Sequence, residues 1–147
     1  MRAYINSYES LSCAGDTKDL MRAIDAKETA ITIDTSYIKD IPVGLGKMKY
    51  DDFYQVLEDV TNSVLENSNL DNFSNTLIIV GSSVGGMKES EEHFFKDKNY
   101  KNINPNRHFI GTIADFLASR FNFCDTRSIS TACTSSANAL LMAKRLI

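Results

Sequence analysis

The run Ser128-Ile129-Ser130-Thr131-Ala132-Cys133-Thr134-Ser135-Ser136-Ala137-Asn138-Ala139-Leu140 joins a strand-like pattern to a helical one, with a cysteine at the change. Arg127 to Thr131 reads as a strand. From Cys133 onward the chain turns helical, and Ala137, Ala139, Leu140, Leu141, Met142 and Ala143 leave almost no polar face. A helix that is apolar nearly all round is usually buried between layers, so this one predicts an α/β fold with more than two layers.

Upstream, Thr76-Leu77-Ile78-Ile79-Val80 is a short apolar run ending at Gly81, the pattern of a strand buried on both faces. A glycine-rich turn follows it. Asn104-Pro105 supplies an N-cap and an N1 proline for a helix whose expected buried positions are Phe109, Ile110, Ile113, Phe116 and Leu117. Further back, Phe53, Val56, Leu57, Val60, Val64 and Leu65 stand at helical spacing between Asp51 and Asn67, and the acidic start Asp51-Asp52 suits a helix N-terminus. Thr29 to Asp34, with Ile31 and Ile33 alternating, reads as a strand. Asp16 or Thr17 would cap a short helix carrying Leu20, Met21 and Ile24, and Ala3 to Tyr8 would form a first strand. No repeat, low-complexity tract or linker interrupts the chain, so residues 1–147 are expected to form a single domain.

Composition narrows the function classes. With 43% hydrophobic and 24% charged residues, the chain is not disordered, collagen-like or a coiled coil. Sixteen basic against 19 acidic residues give a net charge of −3, which lacks the positive excess that phosphate-backbone binding needs, so nucleic acid is not expected as a partner. No apolar run is long enough to cross a bilayer, and the polar N-terminus Met1-Arg2-Ala3-Tyr4-Ile5-Asn6 predicts no secretory signal. Three cysteines, at 13, 124 and 133, form no close pair, which suggests free thiols in a reducing cytoplasm.

Three stretches hold residues with chemical potential. In Gly81-Ser82-Ser83-Val84-Gly85-Gly86-Met87-Lys88 the lysine comes one position late for a P-loop, so the glycines read as a tight turn after a strand. His93, among Glu89, Glu91 and Glu92, and His108, near a helix start, lack metal-ligand spacing with each other or with the cysteines. Both read as surface histidines, and neither a metal nor a cofactor is expected. Cys133 differs. A cysteine at a strand-to-helix junction lies beside unpaired N–H groups and the positive end of a helix dipole, which favours the nucleophilic form of a thiol. Ala132, Thr134, Ser135, Ser136 and Ala137 leave room for a sharp turn and an approaching substrate. The alternative reading is a buried cysteine acting as a small hydrophobe.

Thr131-Ala132-Cys133-Thr134-Ser135-Ser136, followed by Ala137-Asn138-Ala139-Leu140, resembles the active-site signature of the β-ketoacyl synthases, the condensing enzymes of fatty acid and polyketide synthesis. Val80 to Gly86 is similar to that family's glycine-rich turn, and Ile113 to Phe123 to the helix before its nucleophile strand. The resemblance runs from about Leu11 and is strongest in the last third. Two departures mark a divergent relative: Ser7-Tyr8-Glu9-Ser10 replaces a glycine-rich opening, and Cys124-Asp125-Thr126 stands where a Gly-Pro pair is usual.

The resemblance implies a thiolase-like fold, here part of the first half of an α-β-α-β-α arrangement, and an acyltransferase in which Cys133 accepts an acyl group as a thioester. It implies no cofactor, an acyl carrier protein or acyl thioester as partner, and a homodimer or larger assembly formed through the strand before the nucleophile. The family's histidine and lysine partners belong to a second half; both histidines here precede Cys133, so the chain alone is not expected to complete condensation. Lys96, Lys98 and Lys101 are candidate contacts for an acidic carrier protein, with an ordinary solvated loop as the alternative. The competing functional reading is a catalytically silent binding or assembly module, or a truncated copy of such an enzyme.

Overall fold

The computed structural model describes residues 2–50 and 52–147, and its contacts gather into two compact units, Asn6–Ser68 and Asn69–Ile147, the latter joined by the residues up to Ile5.

In the Asn6–Ser68 unit, helix α1 (Thr17–Ala26) begins at Asp16, whose carboxylate accepts the Asp19 N–H at 2.9 Å. A hairpin follows, β1 (Thr32–Ile38) against β2 (Ile41–Leu45), antiparallel. The expected strand at Thr29–Asp34 is therefore displaced toward the C-terminus, and β2 is an addition. Lys39 and Asp40 make the turn, with Asp40 at φ 61°, a conformation that Asp adopts more readily than most residues. The ladder is irregular between Asp34 and Ile38, opposite the segment holding Pro42, which has no N–H to give.

Helix α2 (Phe53–Glu66) matches the helical periodicity; Asp52 caps it by accepting the N–H groups of Tyr54 at 2.8 Å and Gln55 at 3.3 Å. The other expected N-terminal acid, Asp51, lies outside the described residues. Glu9 ties the unit together: one carboxylate oxygen accepts the N–H groups of Ser10 (2.9 Å) and Thr17 (3.0 Å) and the Thr17 hydroxyl, while the other accepts the Ser63 hydroxyl of α2 at 3.1 Å. Those donors, the Thr17 hydroxyl foremost, hold the Glu9 carboxyl down at about 2. The strand expected at Ala3–Tyr8 does not form. Tyr4, Ile5 and Tyr8 are exposed, and β-favouring side chains without a neighbouring strand to complete a ladder do not make one.

The Asn69–Ile147 unit is built on a two-stranded parallel sheet, β3 (Leu77–Gly81) and β4 (Asp125–Ile129), in unbroken register from Leu77 opposite Asp125 to Gly81 opposite Ile129. Strand β4 lies two residues earlier than the Arg127–Thr131 pattern indicates. Between the strands run α3 (Met87–Asp97), α4 (Pro105–His108) and α5 (Ile110–Phe121), and after them α6 (Ser135–Leu146). Helices α5 and α6 both pack on the sheet, and Ile113, Ala114, Leu117, Phe123 and Ala139 form the core.

Two expectations need correction here. Asn104 caps only the single turn α4; Phe109, extended at ψ 145° and 61% exposed, separates it from α5, so it is not a buried helical position. The break frees the His108 carbonyl to accept the Gly86 N–H at 3.1 Å. Helix α6, in turn, is not enclosed on all sides: Ser135 and Ala139 are buried, while Leu140 is 69% exposed. Apolar composition alone does not distinguish a helix covered on one face from one covered on two.

Candidate active site

The chain leaves β4 at Ile129 and enters α6 at Ser135, and the turn between them is made at Ala132, whose φ is 52°. A residue with a Cβ costs roughly 1–2 kcal/mol in that region, so its neighbours must hold it there. They do so through hydroxyl groups. The Ala132 carbonyl accepts the Ser135 N–H at 3.2 Å, the Ser135 hydroxyl at 2.7 Å and the Ser83 hydroxyl at 2.8 Å. Ser135, 2% exposed, also accepts the Thr131 N–H at 2.9 Å. The Thr131 carbonyl accepts the Thr134 N–H at 3.2 Å and its hydroxyl at 2.8 Å, and Asn138 donates to the Thr131 hydroxyl at 2.8 Å. The hydroxyl-rich flanks thus form a closed network around the turn rather than a merely small neighbourhood.

Cys133 sits within that turn, exposed, one residue before Thr134, which opens α6 with no side-chain cap. Cys124 is exposed as well, but its N–H and thiol both point to the Thr76 carbonyl, at 3.0 and 3.3 Å. Cys13 is half-buried in the other unit, beside a cavity of about 470 Å³ lined by Asp16, Asp19, Lys49 and Tyr50. Exposure therefore does not single out Cys133. Its position at the start of a twelve-residue helix does.

The glycine-rich turn makes close packing possible. A Cβ on Gly81 would stand 2.6 Å from the Ser135 carbonyl oxygen, so glycine lets the end of β3 press onto the first turn of α6. A Cβ on Gly86 would stand 1.7 Å from the Arg107 carbonyl oxygen. The Ser82 N–H is taken by the Ile129 carbonyl at 3.1 Å, the Gly85 N–H by the Ser82 hydroxyl at 3.0 Å, and Lys88 pairs with Glu92 at 2.9 Å. The turn spends these donors inside the protein.

Lys96 lies in the last turn of α3, Lys98 caps it with its ammonium 5.1 Å from the centre of the Phe95 ring, and Lys101 follows in the next turn. All three are exposed, and among the described residues no hydrogen bond or ion pair joins them to the Cys133 turn. His93 and His108 are half-buried, which corrects their reading as surface residues. His108 Nδ1 lies 2.8 Å from the hydroxyl of Ser90, which is 8% exposed, and Arg107 pairs with Glu89 at 2.7 Å. Sequence reasoning missed this α3–α4 cluster, whose partners stand 18 residues apart with no repeating pattern to link them. Among the described residues, no group of three or more His, Cys, Asp or Glu could hold a metal ion, and no helix is long and apolar enough to cross a membrane.

Neither a protein-family model nor a curated protein matches the sequence. Among solved structures, a β-ketoacyl synthase from Burkholderia phymatum STM815 is similar, with a TM-score of 0.69 and 13% identity over 96% of this chain and 42% of that one. The chain therefore spans less than half the length of that structure, and what it shares with it is the mixed α/β fold.

Proposed function

We propose that the chain is the nucleophile-bearing part of a thiolase-like condensing enzyme of the β-ketoacyl synthase type, and that Cys133 accepts the acyl group. The observation that carries this reading is an exposed cysteine at the N-terminus of α6, on a turn held in an unfavourable backbone conformation by seven hydrogen bonds. Strain retained in that way is a common mark of functional positions. The Cys133 sulfur attacks the carbonyl carbon of an acyl thioester, a tetrahedral oxyanion forms, the donor carbon–sulfur bond breaks, and the departing thiol carries away the proton that Cys133 gave up. The Cys133 N–H helps hold the oxyanion.

In the same proposal an acyl carrier protein delivers the thioester and meets Lys96, Lys98 and Lys101. A second copy pairs through β4, so light scattering should return a mass above that of one chain. The free thiols suit a reducing cytoplasm. The test of acyl transfer is release of donor thiol from an acyl thioester, measured against enzyme concentration. One equivalent released by the unsubstituted chain and none by Cys133→Ala supports acyl transfer. Stoichiometric carrier-protein binding without thiol release would instead favour a silent assembly module.

A further inference from the structure

We propose that Ser83 is a positioning residue for acyl transfer: by donating to the Ala132 carbonyl it fixes the plane of the Ala132–Cys133 peptide and so aims the Cys133 N–H at the oxyanion. This rests on the reading of Cys133 as the acyl acceptor. Three donors converge on the Ala132 oxygen, and two of them come from Ser135, inside the same turn. The third, the Ser83 hydroxyl at 2.8 Å, arrives from the glycine-rich turn 49 residues away. It is the donor that ties the junction to a separate part of the unit.

The geometric consequence follows from peptide planarity. No cis bond occurs among the described residues, so the Ala132 C=O and the Cys133 N–H point in opposite directions from one rigid plane. A hydrogen bond that holds the carbonyl holds the N–H as well. That plane turns on Ala132 ψ and Cys133 φ, and Ser83 supplies the one of its three hydrogen-bond restraints that comes from outside the turn. Ser83 is itself exposed, at the tip of a turn whose close packing is made by Gly81, Gly85 and Gly86, so its hydroxyl is not needed to fill the core.

The test compares two reactions of one thiol. Acylation passes through an oxyanion and depends on the aim of the N–H; alkylation by iodoacetamide is displacement at a saturated carbon and does not. Ser83→Ala should lower the maximal acylation rate at Cys133 about tenfold, short of the ~10²–10³ that loss of a direct oxyanion donor costs. The half-saturating thioester concentration and the iodoacetamide rate should stay within about twofold, and Ser83→Thr, which keeps the hydroxyl, should restore acylation. Equal loss of acylation and alkylation, or a Ser83→Ala chain that acylates as fast as the unsubstituted one, overturns the role of Ser83 while leaving Cys133 as acceptor. If the unsubstituted chain forms no acyl adduct at Cys133, the acyl-transfer reading fails and this inference fails with it.

Discussion

Ala132 and Cys133 share one peptide, and the backbone conformation of Ala132 is the central feature at the scale of single residues. Ala132 occupies the left-handed region at φ 52°, where its Cβ costs roughly 1–2 kcal/mol. Glycine would remove that penalty and add about 0.5–1 kcal/mol of backbone entropy to the cost of folding. Ala132→Gly should therefore stabilise the chain by about 0.5–1 kcal/mol in denaturant titrations, while slowing acylation of Cys133 because the turn is less restrained. A destabilised Ala132→Gly chain would show that the turn is not strained. The placement of Cys133 between a strand and a helix was legible in the sequence, because small and hydroxyl-bearing neighbours at 131, 134, 135 and 136 mark such a junction. The Ser83 contact was not, since a hydrogen bond spanning 49 residues leaves no local pattern.

At the scale of elements, glycine placement and one carboxylate govern how the pieces meet. A Cβ at Gly81 would meet backbone atoms, the Ser135 carbonyl oxygen at 2.6 Å and the Ser136 nitrogen at 2.8 Å, and neither can rotate aside. Gly81→Ala should destabilise the β3–α6 contact by about 1–3 kcal/mol. Gly111→Ala on α5, with nothing within 4 Å of the new Cβ, should change stability by no more than about 0.5–1 kcal/mol, toward greater stability. Chemical denaturation of both variants checks the contrast, and equal effects would contradict the packing described. In the other unit Glu9 links α1 to α2, and its carboxyl is held at about 2 against an ordinary value of 4.5. Its contribution is complete above about pH 4.5 and is lost as the pH falls through about 2. Glu9→Gln should accordingly lower the melting temperature at neutral pH, with the difference shrinking between pH 4.5 and 2. A difference independent of pH would mean that the carboxylate charge is not what stabilises this link.

Legibility of the elements followed the strength of their local signals. Helix α2 and strand β3 were readable because six apolar residues at helical spacing and an unbroken apolar run are hard to mistake. Helix α3 carries a sparse apolar face around Ser90, and β2 is interrupted by Pro42 and preceded by Lys39-Asp40 rather than an Asn-Gly turn, so neither announced itself. The expected strand at Ala3–Tyr8 failed for the opposite reason: local preference was present and a partner strand was not.

At the scale of the whole molecule, a parallel β3–β4 sheet delivers a cysteine to the start of α6, within a fold shared with 42% of a β-ketoacyl synthase chain. That likeness carries the architecture; the chemistry depends on whether the junction makes this thiol behave differently from the other two. All three cysteines are free, and Cys124 matches Cys133 in being exposed, so the chain contains its own control. The most direct measurement is peptide-resolved mass spectrometry after brief reaction of the folded chain with a limiting amount of an acyl thioester. The acyl group should be found on Cys133, with Cys13 and Cys124 unmodified. Acylation spread over Cys124 and Cys133 alike, or absent from Cys133 in a chain shown to be folded, would contradict the assignment of Cys133 as the nucleophile.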